Sequence, residues 1–426
     1  MIYQKKVLKN GLRIILAPMK DTGTATVLVL VRAGSRYENR KNNGISHFLE
    51  HMCFKGTQKR PSPLDISTVM DSVGGEYNAF TGQEYTGFFA KVASRHQDLV
   101  LDVISDIYLN SKLDPAEIEK EKGVIVEEIN LYLDQPMRHV SELFGQLLYG
   151  DQPAGWPIAG RKENVLKICR EDFLKYIAER YVSQNTLVVM VGNIKPRFAA
   201  EKIERYFGGV RLGSRKPAEP VLEKQKKPAV LVQFKKTDQT HISLGFRAFD
   251  FFDERKYALE ILSVILGGGM SSRLFDVLRN QMGAAYYVRT GSYLASDCGY
   301  LTTQAGVDNR RVPEVIAAIL KEYRRFKEEN VPLNELRKAK DHIKGGMALN
   351  METSDEVAMF LGGQEISLER ILTAQEIFRR IERVSAGDIR KLAADIFRPK
   401  KLNLALIGPF KEKNSFLKLL ASFTSN

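Results

Sequence analysis

With 426 residues, 44% of them hydrophobic and 27% charged, the chain is long enough for two or more globular domains, each with its own core. No run of eighteen apolar residues occurs, so no transmembrane helix is expected, and Cys53, Cys169 and Cys298 lie too far apart and are too few for a disulfide framework. The net charge of +13 is scattered, with no basic run interleaved with aromatics, so it fits solubility and a taste for acidic peptides, and neither nucleic-acid nor membrane binding is expected.

In chain order, Gly11 to Ala17 and Ala25 to Ala33 read as β-strands, with Asp21-Thr22-Gly23 as the turn between them. Nothing ahead of them has the apolar core of a signal peptide or the Arg/Ser-rich character of a transit segment, so a cytoplasmic protein of bacterial type is expected. A polar loop from Gly34 to Asn43 leads into Gly44-Ile45-Ser46-His47-Phe48-Leu49-Glu50-His51-Met52-Cys53-Phe54-Lys55-Gly56. On a helix, His47 and His51 stand at i and i+4 and leave the same face, with Glu50 beside them. Two neutral imidazoles on one face are half of a zinc site, and an adjacent carboxylate can take a proton from a metal-bound water. The order His-x-x-Glu-His inverts the commoner His-Glu-x-x-His. The competing reading is an amphipathic core helix whose histidines are satisfied by neighbours. Cys53, two residues past His51, points off the histidine face and reads as a packing residue.

Pro61 to Val73 reads as a second helix, Glu76 to Val92 as two strands turning near Gly82, and Gln97 to Asn110 as a helix. Asp114 to Asp134 reads as a long helix, with Asp114 as N-cap, Pro115 in the first turn and Glu117 and Glu119 complementing its dipole. A third metal ligand is available there among Glu121, Glu127 and Glu128. Glu121 and Glu128, seven apart, share a face. Spacing alone leaves the choice open, and a solvated helix carboxylate is the plain alternative for each. Helices at Pro136 to Tyr149, Glu171 to Tyr181 and Pro196 to Phe207 and a buried strand at Thr186 to Gly192 complete this half.

Arg211 to Pro228 is rich in proline and charge, without periodicity, and reads as an extended linker, placed at 213–227 between domains at 1–212 and 228–426. Beyond it the pattern restarts. Arg32-Ala33 aligns with Arg247-Ala248 at an offset of 215, Glu38 meets Asp253, and Thr186 to Gly192 meets Leu402 to Gly408 at 216. The expected fold is a tandem of two similar α+β domains, each a sheet flanked by helices. At the same offset His47, Glu50 and His51 meet Leu262, Ile265 and Leu266; aligning Glu117 with Glu335 puts Glu121 and Glu128 on Ala339 and Gly346. A structural role would be kept in both copies, whereas a metal site needs only one. The repeat therefore favours ligands over core histidines.

The run His47-Phe48-Leu49-Glu50-His51-Met52 with Phe54-Lys55-Gly56-Thr57, followed 77 positions after His51 by Glu128, resembles the M16 metallopeptidases, relatives of pitrilysin, insulin-degrading enzyme and mitochondrial processing peptidase, the short-chain members above all. The resemblance implies their LuxS/MPP-like metallohydrolase fold and one Zn2+ per chain on His47, His51 and Glu128, with Glu50 as the base acting on a zinc-bound water. It leaves Glu127 as runner-up ligand and places Glu121 on a second family glutamate that orients a histidine. Asn78 and Ala79 match contacts to the substrate backbone, made as the peptide adds as a strand to a sheet edge. Gly267-Gly268-Gly269-Met270-Ser271-Ser272-Arg273-Leu274 resembles a signature of the second domain. Arg279 and Tyr286 match an Arg and Tyr brought over the substrate, although by themselves they read as a surface arginine and a half-buried aromatic.

The activity implied is that of a zinc metalloendopeptidase cutting peptides or unfolded segments in a closed chamber. Chains of this length pair in the family. This one carries both the zinc and the Arg/Tyr elements, so a homodimer is expected, with a heterodimer including a zinc-less relative as the other arrangement. The alternative function is a non-catalytic or partner-dependent subunit of a processing peptidase.

Overall fold

A computed structural model describes residues 2–424. They divide into two compact units, one comprising residues up to Asn130, Trp156–Glu219 and Ala348–Thr373, the other Leu131–Gly155, Pro220–Met347 and residues from Ala374 onward.

Among the described residues the first unit holds a six-stranded sheet of β1 (Gln4–Val7), β2 (Arg13–Pro18), β3 (Thr24–Val31), β4 (Glu76–Thr81), β5 (Thr86–Ala93) and β6 (Thr186–Gly192), in spatial order β1-β2-β6-β3-β5-β4. The second holds β7 (Ala229–Phe234), β8 (Gln239–Arg247), β9 (Ala285–Leu294), β10 (Gly299–Asp308) and β11 (Leu402–Gly408), in order β7-β11-β8-β10-β9. With β1 set aside, the two orders are the same, and in each the one parallel pair is at the corresponding place, β2 with β6 and β7 with β11. Register repeats too: Leu28 faces Val189 in the first sheet, and Ser243 faces Ala405 in the second, at offsets of 215 and 216. The tandem α+β repeat expected from the sequence is thus the architecture observed.

The single cut at 213–227 is corrected in two places. The segment 131–155 belongs with the second unit and 348–373 with the first. The reason lies in the strands. Those at the centre of the first sheet, β3 and β6, are apolar along nearly their whole length and buried on both faces, so each face needs a cover. One face is covered by helices from the same stretch of chain, Gln97–Leu109 and Pro196–Phe207. The other is covered by helix Ser354–Leu368, whose Val357, Ala358 and Leu361 pack on Leu28, Leu30, Leu187 and Val189. A Cβ on Gly362 would stand 2.8 Å from a Leu30 methyl, so glycine there lets the helix lie close. In the second unit, helix Pro136–Tyr149 does the same for Ala405 and Ile407 with Val140 and Phe144. The presumed linker is held piecewise: Arg180 donates to the Lys216 carbonyl in the first unit, while Gln152 pairs both ways with the backbone of Leu222 in the second.

Polar contacts fix the exchanged helix. The Ser354 hydroxyl meets those of Thr24 and Thr26 at 2.9 and 2.8 Å, and the fully buried Glu365 bridges Lys5 and Arg13, both at 2.8 Å. Glu365→Ala leaves the Arg13 guanidinium buried without its carboxylate. The variant is expected to lose about 3–5 kcal/mol of stability, read as a lower urea midpoint of the unfolding transition.

Candidate metal centre

The histidine helix, α1 (Ile45–Cys53), buries Ile45, Phe48, Leu49 and Met52, with Phe48 edge-on to Phe173 at a centroid distance of 5.0 Å. That apolar stripe fixes its rotation and turns His47, Glu50 and His51 the other way. Its N-terminus is held from outside. The buried Glu38 accepts from the Gly44 N–H at 2.8 Å, the Ser46 N–H at 2.9 Å and the Asn43 amide at 2.9 Å. Gly44, at φ 102°, lies against Gly160, at φ 82°. A Cβ on either would enter the other's backbone, so this entry to the helix requires glycines.

The glutamate helix runs Pro115–Asp134, as the capping pattern predicts, with the Asp114 carboxylate accepting from the Ala116 N–H at 2.8 Å. It presents Glu121 and Glu128 together. Glu128 Oε2 stands 3.6 Å from His47 Nε2 and 3.5 Å from His51 Nε2, while Glu127 is exposed and outside the cluster. The three ligand atoms of His47, His51 and Glu128 lie within 4.8 Å of one another, the one such group among the described residues. Tetrahedral zinc with N and O ligands at about 2.0–2.1 Å sets them roughly 3.3–3.4 Å apart. Two imidazoles and one carboxylate at these separations fit that ion, with a position left for water or substrate.

Glu121 accepts from His51 Nδ1 at 2.9 Å and is itself bridged by Lys55 Nζ at 2.6 Å. The carboxylate holds the proton on Nδ1 and sets Nε2 toward Glu128. Burial pushes the Glu121 carboxyl up, but His51 and Lys55 outweigh it and the group titrates below its ordinary range. For Glu50, burial also pushes the carboxyl up and the Glu128 charge adds to it. Thr81 and His51 pull partly back, and the net shift is upward. Cys53 is buried, and burial pushes its thiol well up, as suits a packing residue.

Without metal, burial disfavours the His51 cation, yet its hydrogen bonds to Glu121 and Glu128 prevail and raise it to about 9 from an ordinary 6.5. Two results follow. A raised histidine stabilises the metal-stripped fold fully below pH 6.5, and that contribution is lost as pH climbs toward about 9. Zinc must also displace the proton. Zinc affinity of the stripped protein, measured by competition with a chelator of known constant, is expected to rise about tenfold per pH unit from 7 toward 9 and then level off.

Asn78 and Ala79 lie on β4, the outermost strand of the first sheet. Asn78 is exposed and lines, with Glu50, His51, Phe54, Tyr77 and Glu121, a cavity of about 400 Å³. Arg279 and Tyr286 belong to the second unit. Arg279 is exposed over the Phe275 ring, on a π-helical turn at Asp276–Gln281, and Tyr286 on β9 is 76% exposed, not half-buried. The second repeat has only apolar groups where the first has its site: Leu262, Ile265 and Leu266 are core residues. Three first-unit contributors escaped the sequence reading. Lys55 stood in the quoted motif, Glu38 stood in the repeat opposite Asp253, and Thr81, bonded to Glu50, gave no signal in spacing.

Among the described residues no helix is long and apolar enough to cross a membrane. The chain matches the family model described as Insulinase (Peptidase family M16) over residues 13–162 and that described as Peptidase M16 inactive domain over residues 167–343. A Bacillus subtilis protein named uncharacterized zinc protease YmxG is 33% identical, over 94% of this chain and 97% of its own length. A Streptomyces coelicolor protein, also named an uncharacterized zinc protease, is 31% identical over 97% of this chain and 91% of its own. A solved protease from Helicobacter pylori shares the fold, with a TM-score of 0.89 at 23% identity over 96% of this chain and 99% of that one. The inverted histidine motif, the fold and relatives matched along nearly their whole length agree, and the chain belongs to peptidase family M16.

Proposed function

We propose that the chain is a zinc-dependent endopeptidase of the bacterial cytoplasm that hydrolyses peptides or unfolded segments inside an enclosed chamber. The observation that carries this reading is the convergence of His47, His51 and Glu128 within 4.8 Å, with Glu50 beside them on α1. His47, His51 and Glu128 would hold one zinc ion, which when bound polarises the scissile carbonyl and makes a water easier to deprotonate.

The remaining work falls to side chains. Glu50 accepts a proton from the attacking water and passes it to the leaving amine nitrogen. Its raised affinity for a proton suits both halves of that transfer. Glu121 keeps His51 oriented, and Lys55 keeps Glu121 ionised. An extended peptide adds to the outer edge of β4 at Asn78 and Ala79, reading backbone more than side chain, so specificity is loose. Tyr286 donates a hydrogen bond to the developing oxyanion and Arg279 positions the substrate. The exposure of both side chains supports these roles. A homodimer closes the chamber; a zinc-less relative as partner is the other possible assembly.

The test is a mixed library of unstructured peptides of about 10–30 residues, an extended reach of roughly 35–100 Å, with fragments weighed by mass spectrometry. Cleavage is expected from zinc-loaded protein, abolished by chelator and restored by zinc. A zinc-loaded chain that cuts nothing alone, yet cuts when a zinc-less relative is added, would shift the reading to a partner-dependent subunit. Failure in both settings overturns the peptidase reading.

A further inference from the structure

Thr81 is the last residue of β4, and its hydroxyl donates to Glu50 Oε2 at 2.5 Å. A carboxylate only accepts, so the threonine is the donor. The hydroxyl is held by the sheet. Thr81 pairs with Thr86 of β5, which pairs in turn with Val31 of β3, and the buried Thr86 hydroxyl is tied to the Ala33 carbonyl at 2.9 Å. The turn beyond is closed by the Gly82 N–H on the Tyr85 carbonyl at 2.9 Å. Glu50 itself hangs from α1 on a side chain with three rotatable bonds. Its placement needs a second attachment point, and Thr81 is the hydrogen-bond partner it has among the described residues.

Resting on the peptidase reading above, we propose that Thr81 is a positioning residue for the base. It fixes Glu50 Oε2 and so leaves Oε1 aimed at the attacking water. The strand that takes the peptide at Asn78 and Ala79 is then the strand that aims the base. Substrate and proton acceptor are registered against one rigid edge. The second repeat supports an inherited link of this kind. Register places Thr81 opposite Thr86 and Ser292 opposite Leu301, 215 residues beyond Thr86. On helix Lys256–Gly267, the counterpart of α1, burial pushes the Glu260 carboxyl up and the Ser292 hydroxyl pulls it partly back. Both repeats thus set a hydroxyl of the outer strand near a carboxylate of the helix, and in the first the two are hydrogen-bonded and the carboxylate is the reacting one.

Thr81→Val keeps the shape and the strand preference and removes the donor; Thr81→Ser keeps the donor. With zinc-loaded full-length protein and a cleaved library peptide, Thr81→Val is expected to lower kcat about 10–100-fold, the scale of a misplaced catalytic group. KM, zinc content and melting temperature stay as in the unaltered chain, and Thr81→Ser restores kcat to within about threefold. Crystals of Thr81→Val should show the Glu50 carboxylate displaced. An unchanged kcat, a loss that tracks zinc content or melting temperature, or a serine variant as poor as the valine overturns the proposal. Should the unaltered chain cleave nothing, alone or with a zinc-less relative, the peptidase reading fails by itself. The crystals still decide the positioning claim, since a Glu50 carboxylate that keeps its place in Thr81→Val refutes it.

Discussion

Glu50→Gln is expected to abolish peptide cleavage while leaving zinc in place. The amide keeps the size of the side chain and can still accept from Thr81 through its oxygen, 2.5 Å away in the native pair. It cannot take a proton from water or return one to the leaving amine. Loss of a positioned base costs about 10²–10⁴ in kcat, and here one carboxyl serves both transfers, so the upper end is expected. The ligand atoms of His47, His51 and Glu128 are untouched, so zinc per chain, measured by elemental analysis of the dialysed variant, should match the unaltered chain. A variant that retains zinc and activity within tenfold would show that another group accepts the proton. Loss of activity together with zinc would mean the substitution disturbed α1 and would carry no information on the base.

Glu38→Ala is expected to have a large effect on stability. Its carboxylate satisfies three donors at the mouth of α1: the Gly44 and Ser46 N–H groups and the Asn43 amide. Helix N-termini leave such donors unpaired, and burial of an unpaired donor costs about 1–3 kcal/mol. Glu38 is 5% exposed, so water cannot simply replace it. Three donors losing a buried acceptor together should cost about 3–5 kcal/mol, or on the order of 10 °C in melting temperature of the first unit. Zinc affinity should fall as well, since α1 carries both histidines. Asp253, its counterpart at offset 215, serves as a contrast. It binds the N–H and guanidinium of Arg255 in a half-exposed setting, and Asp253→Ala should cost well under half as much, both variants being read by thermal denaturation. Equal losses would mean that Glu38 acts only as a surface cap.

What the sequence determined here is whatever depends on local period and on repetition. Helices and strands of the first half stand within a few residues of their predicted bounds, because apolar stripes at 3.6 and runs of β-branched residues are read within one element. The repeat at 215 foretold two similar α+β domains, and their strand order and register prove to be shared, because a duplicated sequence carries its pairing with it. His47, Glu50 and His51 were legible for the same reason, lying within one turn and a half of helix. The third ligand was not. Glu121, Glu127 and Glu128 are equivalent to local rules, and family resemblance named Glu128. In the structure the rotation of the helix leaves Glu127 exposed and sets Glu128 against both imidazoles.

Only the tertiary structure decided which helix covers which sheet. Strands buried on both faces announce that they need two covers, but a strand's own sequence does not say which segment supplies the second. Helix Ser354–Leu368 does so from more than 300 residues away from β3. The same limit hid Glu38, Lys55 and Thr81 as parts of the site. Lys55 and Thr81 each act through a single ion pair or hydrogen bond across elements, and Glu38 through three hydrogen bonds. Such contacts leave no period in the chain; they exist once packing has brought the partners to within 3 Å.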